Sequence, residues 1–143
     1  MSKGNTYEDD LLKLLFNATA IVNVADNAAT APLTNLAVAL HTADPGEAGT
    51  QATSETAYTG YARISVARTT GGWTVASGSV SPVANIDFGE CTAAPGAAVT
   101  FFSVGPTGGG ATKIFYSGTV TPNITMAVGV IPRLKTTSTI TED

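Results

Sequence analysis

From Leu36 onward, β-branched and aromatic residues arrive in short runs separated by glycine and proline, a rhythm that admits many short strands and little helix. The runs lie at 36–42, 61–67, 73–75, 83–88, 98–104, 113–118, 124–128 and 131–135. Gly71-Gly72, Pro95-Gly96, Gly105 through Gly110 and Pro122-Asn123 mark reversals between them. About eight strands at this spacing predict an all-β fold, a two-sheet β-sandwich or jelly roll. Alternation assigns Leu36, Val38, Leu40, Ile64, Val66, Trp73, Val75, Ile86, Phe88, Val99, Phe101, Ile114, Tyr116, Val120, Val128 and Ile131 to the core. A buried Trp73 is expected to place its indole N–H on a partner.

The chain before Leu36 reads differently. Tyr7, Leu11, Leu14, Leu15 and Ala18 share one face at the helical period, with Thr6 placed as an N-cap and Glu8, Asp9 and Asp10 at the positive end of the helix dipole. Leu12 and Phe16 widen the apolar stripe, so the helix is expected to dock, either on a neighbouring subunit or over the end of its own sandwich. The expected organisation is a helical arm over residues 1–17 followed by one β-sandwich domain over 18–143. Ala20 to Val24 is expected as a short strand.

The stretch from Leu36 to Val66 joins two alternating strands through a long polar loop. Leu36, Val38 and Leu40 alternate with small residues, as a strand with one buried face requires. In the loop, Asp44-Pro45-Gly46 predicts a turn in which the Asp44 side chain bonds to the backbone two residues on. Tyr58, Tyr61 and Arg63 are residue types enriched at interface hot spots. The alternative places Tyr61 at a sandwich corner and pairs Arg63 with Glu55. The expected contact residues are therefore Leu11, Leu12, Leu15 and Phe16 on the helix, and Tyr58, Tyr61 and Arg63 after the loop. On that reading, truncating Tyr58 leaves the isolated domain nearly unaffected.

Taken whole, HTADPGEAGTQATSETAYTGYAR, together with IFYSG at 114–118 and TITED at 139–143, resembles small tailed-phage virion proteins, those labelled tail fibre or head decoration (cement) proteins. The resemblance runs from Leu36 to the last residue. It implies a virion structural protein made in the host cytoplasm. The leading expectation is a capsid decoration protein, a dimer or trimer that binds the outer capsid surface and bridges subunits of the major capsid lattice. The alternative is a tail fibre or tail-tip protein engaged in host receptor binding.

Few residues offer chemistry. His41 is the single histidine, which excludes a site of two imidazoles within one chain and is read as a strand-end residue with a satisfied ring nitrogen. Cys91 is the single cysteine, so no intrachain disulfide forms, and it is expected as a small buried side chain. No serine sits in a G-x-S-x-G elbow. Gly105 to Gly110 lacks the GK[ST] ending of a phosphate loop and reads as a hairpin tip. Asp44, Glu47 and Glu55 share one loop without the spacing of a calcium loop. A sugar platform built on Trp73 and the tyrosines lacks paired catalytic carboxylates. The expectation is no enzymatic activity, no cofactor and no metal.

Charge points the same way. A net charge of -4 with seven scattered Lys and Arg argues against nucleic acid or an anionic membrane as partner. No apolar run approaches the length of about 20 residues that spans a bilayer. Only 13% of the residues are charged, and a surface of hydroxyls and small side chains suits a chain that packs against other protein.

Overall fold

A computed structural model describes residues 3–21, 24–25, 32–107 and 113–142. Among the described residues one helix precedes nine strands: α1 (Asn5–Asn17), β1 (Asn35–His41), β2 (Ile64–Ala67), β3 (Trp73–Ala76), β4 (Ser79–Pro82), β5 (Ile86–Asp87), β6 (Val99–Pro106), β7 (Tyr116–Ile124), β8 (Arg133–Leu134) and β9 (Ile140–Thr141). The architecture is all-β with a single N-terminal helix, as the turn rhythm predicts. Its strands fall into three sheets, ordered β2-β1-β6-β7, β3-β4-β9 and β5-β8. Contacts group the chain into two compact units, Met1–Asn35 with Val66–Ile86 and Lys135–Asp143, and Leu36–Ser65 with Asp87–Leu134.

In the first unit, β3 and β4 form a hairpin with Ala76 opposite Ser79, closed by Ser77 and Gly78 at φ 52° and 69°. Two successive positive φ values define the type I′ turn that suits strand twist, and glycine takes the second without strain. Against this hairpin lies α1. Leu12 and Phe16, four residues apart on one face, are fully buried, and the Phe16 ring meets Trp73 edge-on at 4.9 Å. The helix is thus fixed by Leu12 and Phe16. The stripe centred on Tyr7, Leu11, Leu14 and Leu15 is only partly covered, and Tyr7 is exposed.

Both helix ends depart from expectation. Gly4, not Thr6, is the N-cap, with no side-chain cap. Asp9 Oδ1 instead accepts a bond from the Gly78 backbone N–H at 2.5 Å, tying the first turns to the hairpin. The last turn carries no basic residue of its own. Arg68 supplies the charge from elsewhere in the chain: Nε donates to the Leu15 carbonyl at 2.6 Å, Nη2 to that of Leu14, and Nη1 to that of Leu33 at 3.2 Å. A cation there satisfies orphan carbonyls and complements the helix dipole. Trp73 is buried as expected, but its Nε1 has no partner among the described residues.

In the second unit, β1 pairs antiparallel with β6, from Leu36 opposite Pro106 to His41 opposite Phe101, and β6 pairs with β7. The expectation of one buried face on β1 is corrected, because every residue from Leu36 to His41 is buried. Two expected strands, at 113–118 and 124–128, are replaced by the single strand β7. Pro122 does not reverse the chain there, since β7 is an edge strand and needs no N–H at every position. Val128 and Ile131, assigned to the core, are 67% and 52% exposed. Val128 lies in a turn closed by Val130 N–H to the Ala127 carbonyl and Ile131 directly after it, so alternation continues there without a strand. The short strands β4 and β9 were not expected. Of the hairpin tip expected at 105–110, Gly105 and Pro106 instead end β6, while 108–110, like part of the strand expected at 20–24, lie outside the described residues.

Removing the Phe16 ring leaves a cavity against Trp73. Phe16→Ala is expected to lower stability by about 3 to 5 kcal/mol, read as a fall in the urea midpoint.

Candidate functional site

Alternation along β1 sends Leu36, Val38 and Leu40 to one face and Ala37, Ala39 and His41 to the other. Opposite the second set, β6 contributes Gly105, Ser103 and Phe101. Small residues at four of these six positions leave a trough, and the Gln51 side chain of the loop fills it, itself fully buried. A Cβ on Gly105 would stand 2.8 Å from Gln51 Cδ and collide with the Lys113 carbonyl oxygen, so glycine alone fits there. Gln51 Nε2 donates to the Ala37 carbonyl at 3.0 Å and reaches Ser103 Oγ at 3.4 Å.

His41 closes the end of the trough. Its Nδ1 lies 2.9 Å from the Thr53 carbonyl and its Nε2 lies 2.8 Å from Ser103 Oγ. A carbonyl only accepts, so Nδ1 carries the proton and Nε2 accepts the Ser103 hydroxyl hydrogen. Backbone bonds from Thr42 N–H to the Ser54 carbonyl and from Thr56 N–H to the Leu40 carbonyl lay the loop alongside the end of β1. Burial holds the imidazole pKa below its ordinary value. The Thr53 carbonyl and the Glu55 charge oppose that shift, and the Arg63 charge adds to it.

Beside this cluster, Arg63 grips Glu55 with two parallel bonds, Nε to Oε1 at 2.7 Å and Nη2 to Oε2 at 2.8 Å. Its Nη1 reaches Gln51 Oε1 at 3.4 Å. The Tyr61 hydroxyl donates to Glu55 Oε1 at 2.8 Å and accepts from the Leu40 backbone N–H at 3.1 Å. Burial alone raises the Glu55 pKa, but the bonds from Arg63 and Tyr61, with the Arg63 charge, bring it below its usual range. Tyr61 stacks on Phe88 and meets Tyr58 edge-on at 5.5 Å. The Tyr58 hydroxyl donates to the Gly89 carbonyl at 2.8 Å.

The expected contact residues are thus placed as follows. Leu12 and Phe16 are fully buried and Tyr58 is 3% exposed, so these three side chains present a partner with no surface. Leu11, Leu15, Tyr61 and Arg63 are half-buried. The expected pairing of Arg63 with Glu55 is present. Asp44 Oδ1 accepts the Gly46 N–H at 2.8 Å, the turn expected at that position. Cys91 is buried. Sequence reasoning missed Gln51 and Ser103. The available signal was a serine inside the apolar run of β6, two residues before a glycine, on the face shared with small residues of β1.

Chemically, Ser103 and His41 have the spacing of a nucleophile and its base, but both are fully buried, and a backbone carbonyl stands where an orienting carboxylate is needed. No substrate reaches the hydroxyl, and the pair acts as a clip. A polar hollow beside α1 is lined by Asn5, Thr6, Glu8, Asp9, Lys13 and Ser77, with Asp9 engaged by Gly78. Among the described residues no three His, Cys, Asp or Glu side chains converge as metal ligands. Nor is any helix there long and apolar enough to cross a membrane.

Tyr58 is therefore a core residue of its unit. Tyr58→Ala is expected to lower the stability of the isolated chain by about 3 kcal/mol or more, because it removes a buried ring and strands the Gly89 carbonyl. Chemical denaturation of the purified variant measures this.

A family model described as Podophage GP4 fiber I protein gp80 matches residues 4–141, nearly the whole chain. The chain belongs to that family, and is a phage virion structural protein as its loop and C-terminal motifs imply. No curated protein matches it.

Proposed function

We propose that this chain is a structural subunit of a podophage tail fibre, acting by association with other protein and not by catalysis. The observation that carries the reading is the family match over residues 4–141, whose description names a fibre protein. It favours the tail fibre alternative over the capsid decoration role that led at the level of sequence. Low charge and a surface rich in hydroxyls and small residues support a chain that works packed among protein partners, including further copies of itself. The fully buried Ser103 and His41 pair supports the non-catalytic part of the reading.

Position in the particle decides between the two roles. Antibody-gold labelling of intact virions against this chain is expected to mark the tail. Label spread over the head, with none on the tail, would overturn the fibre assignment.

A further inference from the structure

The loop from 42 to 63 is fastened to the sheet through a fully buried histidine, whose neutral ring pairs with both the Thr53 carbonyl and the Ser103 hydroxyl hydrogen. We propose that the buried contact of His41 with Ser103 and Thr53 is an acid-released clasp, which holds residues 42–63 against β1 and β6 near neutral pH and lets them go on acidification. This goes beyond the fibre role and stands independently of it.

The bonding pattern supplies the mechanism. With Nδ1–H on the Thr53 carbonyl, Nε2 is the acceptor for the Ser103 hydroxyl hydrogen, while Gln51 Nε2 approaches the same oxygen as a donor. Protonating Nε2 turns it into a donor. Ser103 Oγ then faces two N–H groups, and its own hydrogen has lost its acceptor. A positive charge is also created on a side chain with no exposed surface. Glu55 is the neighbouring carboxylate, but it already accepts from Arg63 and Tyr61, and the Arg63 guanidinium repels an imidazolium. β6 contributes Ser103 and Phe101 on this face and no ionisable group. Opening the loop restores water to the ring.

The sign follows from linkage. His41 in the closed state titrates below the ordinary 6.5, so the closed state is fully favoured above 6.5 and loses ground as pH falls below it. The loss is at most tenfold in the closed-to-open ratio per pH unit, until the folded-state pKa is passed. Glu55 is held below its ordinary 4.5, so the linkage from that carboxylate falls at the acid end of the range.

Hydrogen exchange on the intact chain, corrected for intrinsic rates, tests the clasp between about pH 7.5 and pH 5. The Thr42 and Thr56 amides, which bond across the loop, are expected to lose protection by up to tenfold per unit below 6.5, while the Val83 amide in the other unit holds. The slope is expected to vanish in His41→Gln, whose side chain stays neutral. Protection unchanged across the range, equal loss at Val83, or the same slope in His41→Gln would each overturn the proposal. Should the variant fail to fold, the native chain still decides, because it has one histidine. Its imidazole resonances are expected to show a proton on Nδ1 and a midpoint below 6.5. A midpoint at or above that value overturns the clasp.

Discussion

Gln51 laid across the backbone of β1 is the contact on which the second unit turns. One side chain satisfies the Ala37 carbonyl, approaches Ser103 and accepts from Arg63, and so connects the central strand, its neighbour β6 and the far end of the loop. A buried polar group left without its bonds costs about 1 to 3 kcal/mol, so a one-residue slip of β1 against β6 is penalised at several atoms together. The small residues beneath Gln51 are the other half of the contact. Ala37, Ala39 and Gly105 are small because a side chain from the loop occupies the space theirs would take.

The same contact settles what the long loop is for locally. Ordering a residue costs about 1 to 2 kcal/mol in backbone entropy, so an extended polar loop in a folded chain needs compensation from somewhere. At the level of sequence, Tyr58, Tyr61 and Arg63 suggest that a partner supplies it. In the structure the chain supplies it itself: Arg63 is committed to Glu55, Tyr61 to Glu55 and the β1 backbone, and Tyr58 to Gly89. An ordered loop suits a virion structural protein, because a preorganised surface loses less freedom when neighbours pack on it.

Much of this was legible in residue order. The existence of the β1 strand, the Asx turn at Asp44, the strand-end role of His41, the buried Cys91 and the all-β class follow from local patterns that tertiary context did not override. What escaped were relations between distant residues. Leu12 and Phe16 outrank the Tyr7 and Leu11 stripe because Trp73 waits on that side, and nothing within the helix announces this. Arg68 caps a helix more than fifty residues earlier. The outward face of β1 is buried by Gln51, a residue whose composition marks it as surface. Strand β4 was missed although Ser77-Gly78, just after the expected strand at 73–75, carries a turn signal.

Residues 42–63 are held in order by the chain's own sheet. Backbone order parameters of the isolated monomer in solution, at neutral pH, measure that directly. Values across the loop near 0.85, level with those of β1, are the expected result, and values below about 0.6 across it would contradict the account.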